Sequence, residues 1–339
     1  MAASAPPETV DPRRAAPSVS LAIPVYNEAE GLPRLLERAG SMLEGLPGTG
    51  HQMVFVDDGS VDQSLSLLEA AAARDPRILV VALSRNFGHQ LALTAALDHT
   101  TGDVVVLMDA DLQDEPEVIP RFLAEYRNGY DVVYARRRGR KEGPLLRLSY
   151  RIFYRLITWL STIDLPLDAG DFGLVSRRVV EEMRRAREHH RYLRGLRRWV
   201  GFRQTGIVVD RAARHAGETK YGFRRLLRLA SDGIFAFSTM PLRAASLTGM
   251  WAVGASLLYV IYTTYAKFVL HQAPRGFTAL VFLITFFGGI NLLFLGVLGE
   301  YIGRIYEEVK GRPLYVVERL IGHRADSGTG ARPGVSHGR

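Results

Sequence analysis

Two long apolar segments near the carboxyl end set the strongest limit on what this chain can fold into. Residues 244–269 contain a single charge, that of Lys267, and residues 277–299 contain none. Because about 20 apolar residues cross a bilayer core of ~30 Å, each segment is long enough to span a membrane. The short connection between them predicts a hairpin, for which a buried helix pair in a globular domain is the alternative. The basic flanks outside the hairpin predict that the amino-terminal region and the tail lie in the cytoplasm.

The composition excludes several kinds of chemistry. The 339 residues contain no cysteine, which rules out disulfides, thiolate metal sites and a cysteine nucleophile. The formal net charge is +8, and basic stretches of this kind favour anionic lipid, phosphorylated ligands or nucleic acid as partners. Residues 1–17 lack the apolar core of a signal peptide and predict a disordered leader, and residues 323–339 predict a disordered tail.

The region between these ends alternates two kinds of pattern. Short runs rich in Val, Ile and Leu predict strands at 19–25, 53–57, 78–83, 103–108 and 131–135. Helical patterns lie between them, from about Glu28 and over 64–73, 89–99 and 116–128. Continuous apolar strands alternating with helices predict an α/β fold, a mostly parallel sheet with helices on both faces. Ligands of such sheets bind beyond the carboxyl ends of the strands, yet the chain has neither the G-x-G-x-x-G nor the P-loop signature.

Acidic residues stand where predicted strands end. Asp57 and Asp58 close the second strand, and Asp109 and Asp111 follow the fourth. Alternate residues of an extended segment share a face, so Asp109 and Asp111 point the same way. With the amide oxygen of Gln113 they form a hard-oxygen set of the kind that binds Mg²⁺ or Mn²⁺ and leaves positions for substrate phosphates. Asp57 or Asp58 can accept hydrogen bonds from a nucleobase or a ribose.

Two segments have the pattern of amphipathic helices on a membrane surface. In residues 143–161, Arg147, Arg151 and Arg155 recur every four residues among apolar and aromatic side chains. A basic stripe of this kind suits anionic headgroups, and residues 222–240 have a similar character. Packing against the globular domain is the alternative for both. We expect the basic residues to bind membrane lipids and phosphorylated ligands rather than nucleic acid.

Four motifs follow one another along the chain: IPVYNE, VDDGSVD, SRNFGHQ and DADLQDEP. In this order and spacing they resemble the motifs of the family 2 glycosyltransferases, which have a GT-A fold. The resemblance narrows to the polyprenyl-phosphate glycosyltransferases through LDAGDFGLVSRR, GFRQTGIVVDR, GETKYGFRRL and the hairpin. That group includes the bactoprenol glucosyltransferases, the aminoarabinose transferases and the dolichol-phosphate mannose synthases. The resemblance covers residues 18–318.

This resemblance implies a multi-pass protein of the inner membrane with a cytoplasmic GT-A domain over residues 18–221. It implies metal-dependent, inverting transfer of one sugar to polyprenyl phosphate, with UDP-glucose as the expected donor and GDP-mannose or a UDP-aminoarabinose derivative as alternatives. Residues 300–322 are expected to form a cytoplasmic juxtamembrane segment. Gly296, Gly299 and Gly303 are spaced for close helix approach, within the hairpin or between the protomers of an expected homo-oligomer.

The resemblance also implies roles for individual residues. The nucleotide pocket is expected to use Pro24, Tyr26, Glu28, Asp57, Asp58 and Asp109, and the metal site Asp109, Asp111 and Gln113. The expected positions for the donor and acceptor phosphates are Arg136, Arg203, Arg211, Lys220 and Tyr221. The expected catalytic residues are Asp171, Asp111 and Arg203. Because a lipid phosphate with a second pKa of ~6 is already largely anionic, we expect Asp171 to orient a substrate rather than to remove a proton.

Two alternatives to this function have specific sequence tests. A processive polysaccharide synthase shares the first part of the pattern but carries Q-x-x-R-W, where this chain has Gly195 in place of the glutamine and lacks additional apolar spans. A non-catalytic scaffold that binds nucleotide sugars would have lost its metal residues, whereas Asp109, Asp111 and Gln113 are all present. The enzyme is therefore the favoured interpretation.

Overall fold

The computed structural model describes residues 12–137, 169–189, 191–209, 240–269 and 276–322. The chain forms two compact units: the first holds the described residues up to 209 and again from 313, and the second holds those from 240 to 312. Several predictions concern residues outside these ranges. They are the amphipathic helices at 143–161 and 222–239, the phosphate-binding residues Arg211, Lys220 and Tyr221, and the tail.

The first unit is built from alternating strands and helices. Its strands are β1 (Val19–Val25), β2 (Gln52–Asp57), β3 (Ile78–Leu83), β4 (Val104–Leu107), β5 (Val132–Arg137), β6 (Ala169–Ser176), β7 (Gln204–Val209) and β8 (Val317–Ile321). Its helices are α1 (Pro12–Ala15), α2 (Leu32–Glu44), α3 (Ser64–Ala72), α4 (His89–His99), α5 (Ile119–Arg127), α6 (Arg177–Arg185) and α7 (Leu193–Trp199), with a 3₁₀ turn at Pro116–Val118 before α5. Within this unit all the predicted strands and helices are present, and β1, β3 and α4 have the predicted bounds.

One mixed sheet of 8 strands forms the centre of this unit, in the order β7-β5-β6-β4-β1-β2-β3-β8. β1 pairs in parallel with β2 and β4, β2 with β3, and β5 with β7. β6 runs antiparallel between β4 and β5, and β8 runs antiparallel to β3. The predicted mostly parallel sheet is confirmed, with two antiparallel strands that the sequence patterns do not predict.

Helices cover both faces of the sheet because each carries an apolar stripe. In α2, Leu32, Leu35, Ala39 and Leu43 recur at helical spacing and are buried against one face, together with Phe122 of α5. The other face buries the apolar residues of α4, α6 and α7. This double cover explains why the central strands are apolar along their whole length.

The structure differs from the predicted boundaries in two places. Within the predicted leader, α1 is helical, and Nη1 of Arg14 donates to the backbone oxygen of Tyr126 at 2.9 Å while Nη2 lies 3.3 Å from the buried carboxylate of Asp131. Within the predicted juxtamembrane segment 300–322, β8 covers the edge of β3, whose backbone groups would otherwise lack partners. Both partners are distant in sequence, so a local pattern does not reveal them.

The second unit contains α8 (Met240–Phe268) and α9 (Phe277–Val309), which contact each other. By length and composition both helices can cross a membrane. Their apolar spans are Ala244–Ala266 and Leu283–Val309, with mean hydropathies of 1.6 and 1.7. α9 therefore continues beyond the predicted second span.

The surface of these two helices is apolar and open. Trp251 and Leu292, for example, are 74% and 72% exposed. A Cβ added at Gly296, Gly299 or Gly303 would meet no atom of the described residues within 4 Å, so these glycines do not pack against the described part of α8. An exposed apolar surface of this kind suits lipid rather than water as its solvent.

Candidate active site

The acidic residues predicted from the sequence meet at one edge of the sheet. β1, β2 and β4 are parallel neighbours, so their carboxyl ends lie together. Asp57 ends β2, and Asp109 and Asp111 stand in the turn after β4. β6 runs antiparallel to β4, so its beginning, which holds Asp171, lies at the same edge. The strand directions alone therefore bring these carboxylates to one edge.

Asp171 forms an ion pair with Arg194 of α7 at this edge. Nε and Nη2 of Arg194 donate to the two carboxylate oxygens of Asp171 at 2.6 and 2.8 Å. The side chain of Asp171 is 12% exposed and that of Arg194 is 36% exposed. Nε2 of His89 lies 3.5 Å from Oδ1 of Asp109 and 3.9 Å from Oδ2 of Asp171. His89 thus lies within reach of both carboxylates.

The ion pair keeps Asp171 charged. Burial by itself would raise the pKa of Asp171, but the hydrogen bonds and the charge of Arg194 outweigh it, and the pKa lies below its ordinary value. Burial likewise opposes the charge of Arg194, yet the bonds to Asp171 hold its pKa above the ordinary value. Arg197 is buried further along α7, and burial lowers its pKa to about 10. It stays protonated at neutral pH, so one carboxylate faces two guanidiniums.

Asp57 and Asp58 differ in their hydrogen bonds. Both oxygens of buried Asp58 accept backbone N–H groups, of Phe87 at 2.7 Å and of Gly88 at 2.9 Å, which fixes the loop before α4. Burial raises the pKa of Asp58 despite these bonds. Oδ2 of Asp57 accepts the N–H of Ser60 at 3.2 Å, whereas its buried Oδ1 has no hydrogen-bond partner among the described residues. A buried carboxylate oxygen without a donor is costly, which makes Asp57 the better candidate to bind a ligand.

The turn after β4 holds the predicted metal residues. Oδ1 of Asp111 accepts the N–H of Gln113 at 3.1 Å, and Oδ2 of Asp114 accepts the N–H of Asp109 at 3.2 Å. Leu112 has a φ of 59°, which turns the backbone sharply. Nε2 of Gln113 is buried and has no hydrogen-bond partner in the part of the chain that the structure describes. The described residues also contain no group of three or more His, Asp or Glu side chains arranged to hold a metal by themselves.

A cleft of mixed charge opens over these residues. Its walls come from the turn after β4, the ends of β5 and β7, the beginning of β6, and α7. The lining residues are Asp109, Gln113, Asp114, Glu115, Ala135, Arg136, Gly170, Asp171, Phe172, Arg194 and Val209. Carboxylates and guanidiniums that share one cleft suit an anionic ligand held together with a cation.

Comparison with known proteins identifies the family. The family model described as glycosyl transferase family 2 matches residues 20–184. Over 304 residues the chain is 42% identical to YkcC of Bacillus subtilis, an uncharacterized glycosyltransferase, and the match covers 89% of this chain and 94% of that protein. Over 301 residues it is 39% identical to the bactoprenol glucosyl transferase of Shigella phage SfX, with 88% and 98% covered. This chain belongs to glycosyl transferase family 2.

Membership of family 2 makes the chain a glycosyltransferase and confirms the resemblance seen in its motifs. Among solved structures, a crystal structure of glucosyl-3-phosphoglycerate synthase from Mycobacterium tuberculosis in complex with Mn²⁺ and UDP-glucose aligns with 68% of this chain and 83% of its own, at 20% identity and a TM-score of 0.44.

In this family 2 enzyme, Arg203 lies away from the cleft. It precedes β7, whose first residue lies opposite Val132 at the beginning of β5. Its guanidinium lies over the ring of Tyr130, 5.0 Å from the centre, at the amino-terminal edge of the sheet. The strand direction therefore separates Arg203 from Asp109 by the length of the sheet. The prediction of catalytic and phosphate-binding roles for Arg203 is corrected accordingly, and the guanidinium that the structure brings to Asp171 is that of Arg194.

The other predicted residues of the family 2 site fall into two groups. Pro24 is buried in β1 opposite Val56, and Tyr26, which is 47% exposed, follows with Glu28 at the carboxyl end of that strand. Arg136, near the end of β5, lines the cleft. The structure thus brings these residues to the same edge as Asp57 and Asp109. The second group, Arg211, Lys220 and Tyr221, lies outside the described residues.

The sequence did not predict three residues of the candidate site: Arg194, Arg197 and His89. The two arginines are three positions apart, a spacing that places them on one face of a helix. The spacing of Arg194 and Arg197 in the sequence therefore indicates a charged helix face, but not the carboxylate that this face meets. His89 begins α4 within the SRNFGHQ motif, and the direction of the helix away from the edge explains why its first residue reaches the carboxylates.

Proposed function

We propose that this enzyme transfers one glucosyl residue, with inversion, from UDP-glucose to a polyprenyl phosphate at the cytoplasmic face of the inner membrane. One observation carries the proposal. A bactoprenol glucosyl transferase is 39% identical to this chain, and the match covers 88% of the chain. A match of this length includes both the acidic cleft and the apolar helices. The name of that relative supports a glucosyl donor and a polyprenyl-type acceptor.

The donor nucleotide is proposed to bind at the carboxyl ends of β1 and β2. The buried Oδ1 of Asp57 supports this placement, since it can accept a hydrogen bond from a nucleobase N–H or a ribose hydroxyl. Asp58 is proposed to act indirectly, by fixing the loop before α4, because both of its oxygens already accept backbone N–H groups. The exposed ring of Tyr26 is suited to stack on the base, and Glu28 stands beside it in the chain.

The residues after β4 fit a divalent cation. Mg²⁺ and Mn²⁺ prefer oxygen ligands and keep positions for water and substrate phosphates, so one or two carboxylates are enough on the protein side. We propose that Asp109 and Asp111 would supply these carboxylates. Gln113 is proposed to add its amide oxygen, while its buried Nε2 donates to an oxygen of the donor. When bound, the cation neutralises the leaving diphosphate.

The transfer depends on charge more than on a base. An oxygen of the acceptor phosphate forms a bond to the anomeric carbon of glucose as the bond from that carbon to the diphosphate breaks, and UDP leaves with the electron pair. The acceptor is already largely anionic near neutral pH because its second pKa is ~6. Asp171 stays ionised and bonded to Arg194, so its proposed role is to orient groups in the cleft. Arg136 is proposed to offset the charge of a phosphate.

A reconstituted assay tests the proposal. The full chain, purified in detergent, is given undecaprenyl phosphate with UDP-glucose, GDP-mannose or a UDP-aminoarabinose derivative, and the lipid is analysed by mass spectrometry. We expect a hexose adduct from UDP-glucose that disappears with EDTA and returns with Mn²⁺. A product from another donor alone would overturn the choice of sugar. Full yield after thorough chelation would overturn the role of the metal.

The helical unit is proposed to anchor the enzyme among membrane lipids and to join protomers into a homo-oligomer. The open face of α9 at Gly296, Gly299 and Gly303 supports this arrangement, since small residues let helices approach closely in lipid. Gly299→Leu is expected to reduce the mass of the particle in lipid nanodiscs. An unchanged mass would exclude this face as the contact.

A further inference from the structure

α7 brings an incompletely used guanidinium to the cleft. The two hydrogen bonds from Arg194 to Asp171 are the only ones that it makes to described residues. A guanidinium has five N–H groups; two of them donate to Asp171, and none of the other three donates to a described residue. The side chain is 36% exposed and lines the cleft, so a ligand in the cleft can reach it.

Arg197 adds a second guanidinium beside Asp171. Its side chain is buried, lies 5.3 Å from the centre of the Tyr134 ring and makes one long hydrogen bond of 3.4 Å to the backbone oxygen of Gly170. Asp171 acts on both arginines, and Asp109 acts on Arg194 as well. The two guanidiniums give this side of the cleft charged hydrogen-bond donors of the kind that bind phosphate.

We propose that Arg194 binds the phosphate group of the polyprenyl acceptor, and that Asp171 is its counter-ion while the acceptor is absent. The planar fork of a guanidinium matches two phosphate oxygens at once, which an ammonium group does not. Arg197 remains behind the pair as a fixed charge that attracts the anion even when Arg194 and Asp171 are bonded. This inference rests on the proposed function, because it assigns a residue to the acceptor of that reaction.

The position of Arg194 suits a phosphate that attacks the donor. His89 lies 3.9 Å from Asp171 and 3.5 Å from Asp109, so Arg194 stands close to the carboxylates assigned to the donor diphosphate. A phosphate bound there would lie beside the donor, and the guanidinium would offset the repulsion between the two anionic substrates.

Binding of farnesyl phosphate to the full chain in detergent tests the inference, because this short prenyl phosphate carries the head group of the acceptor. Calorimetry compares farnesyl phosphate, farnesol, inorganic phosphate and UDP with Mn²⁺ for the wild type, Arg194→Gln and Arg198→Gln. Arg198 is exposed on the same helix and is the matched control. We expect Arg194→Gln to weaken farnesyl phosphate binding by about 10- to 100-fold and to leave UDP and farnesol binding unchanged. The control variant should bind all four probes as the wild type does.

The remaining outcomes separate this inference from the proposed function. Arg194→Lys keeps a positive charge without the fork, and an intermediate affinity for farnesyl phosphate is expected. Equal affinity of the wild type and Arg194→Gln for farnesyl phosphate would overturn the inference and leave the proposed function intact. A wild type that binds farnesyl phosphate no better than farnesol would overturn the proposed acceptor itself. Inorganic phosphate that binds as tightly as farnesyl phosphate, or a parallel loss of UDP binding in Arg194→Gln, would also contradict the assignment.

Discussion

The ionisation state of Asp171 distinguishes a mechanism in which this residue is a general base from one in which it orients a substrate. A general base works best when its pKa lies near the working pH and when its lone pairs are available to the proton that it removes. The carboxylate of Asp171 meets neither condition, because Arg194 lowers its pKa and engages both of its oxygens. With the proposed polyprenyl phosphate as acceptor, the group that limits the reaction at low pH is that phosphate, whose second pKa is ~6.

The substitution Asp171→Asn tests this assignment. We expect kcat to fall by about 10- to 100-fold, since Arg194 loses charge-assisted hydrogen bonds that hold it in place. The KM for polyprenyl phosphate should not rise, and the acid limb of kcat/KM should stay near pH ~6 because it belongs to the acceptor. Steady-state kinetics of wild type and variant between about pH 5 and pH 9 measure both quantities. Loss of the acid limb together with recovery of activity at high pH would identify Asp171 as a base.

Neighbouring carboxylates at the end of β2 are expected to respond differently to the same substitution. Asp57→Asn should weaken UDP binding by about 10- to 100-fold with little change in thermal stability, because its buried Oδ1 has no hydrogen-bond partner among the described residues and is proposed to bind the donor. Asp58→Asn should lower stability by about 1–3 kcal/mol, because an amide nitrogen would face the N–H of Phe87 or Gly88. Each variant is the control for the other, with calorimetry of UDP and thermal unfolding as the two measurements. If instead Asp58→Asn weakened UDP binding and Asp57→Asn lowered the stability, Asp58 would be the residue that contacts the nucleotide.

At the scale of elements, the segment after α9 belongs to the sheet. β8 pairs with the edge of β3, and just before it the hydroxyl of Tyr315 donates to Oδ2 of Asp98 at 2.8 Å, near the end of α4. Nη1 of Arg187 donates to the same oxygen at 2.8 Å. Burial and the carboxylate of Asp98 raise the pKa of Tyr315, so its hydroxyl remains a donor throughout the neutral range. The segment is thus held by a strand pairing and by a side-chain hydrogen bond.

Removing the hydroxyl of Tyr315 should weaken the attachment of β8 to the sheet unit. We expect Tyr315→Phe to lower the free energy of unfolding of the sheet unit by about 1–2 kcal/mol, since Asp98 keeps Arg187 but loses one donor. Tyr130→Phe is the matched control, because the Tyr130 ring contacts Arg203 and its hydroxyl has no hydrogen bond to another described residue. Denaturant unfolding of the two variants in detergent, compared with the wild type, gives the difference. Equal stabilities would mean that the strand pairing alone holds the segment.

Some elements were predictable from the sequence because local pattern and final environment agree. β1 and β3 are apolar along their whole length and lie in the middle of a covered sheet, so their bounds follow from composition. β8 (VERLI) contains two adjacent charged residues and lies at an edge, and β6 contains two glycines and an aspartate. Neither has the composition of a central strand, and only tertiary pairing makes them strands.

Part of the candidate site was predictable for the same reason. Parallel strands share a carboxyl edge, so the sequence positions of Asp57 and Asp109 already implied that they lie close together. Arg194 reaches Asp171 across a separation of 23 residues through the packing of a helix against β6, which no local pattern encodes. Arg203 was assigned to the same edge because nothing in its neighbourhood revealed the direction of β7.

At the scale of the whole molecule, the path of the chain limits how it can enter a membrane. The chain leaves the sheet unit, forms α8 and α9, and returns to the sheet as β8. One sheet lies on one side of a bilayer, so the chain can cross a membrane only an even number of times between β7 and β8, whatever the charge of the flanks. The two helices proposed as spans agree with this rule. If both cross, the connection between them, residues 271–276, lies on the side opposite the sheet.

The chain has no cysteine, so a single introduced thiol reports only its own position. In cells whose outer envelope has been removed, we expect a membrane-impermeant maleimide to label His271→Cys, in the connection, at once. Ser66→Cys, at an exposed position of α3, should be labelled only after permeabilisation, because the Arg and Lys residues outside the hairpin favour the cytoplasm. Labelling of Ser66→Cys alone before permeabilisation would reverse the orientation. If neither variant were labelled before permeabilisation, the two helices would not cross the membrane. The proposed acceptor would then have to reach the cleft from one leaflet, without helices that span the membrane to anchor the enzyme.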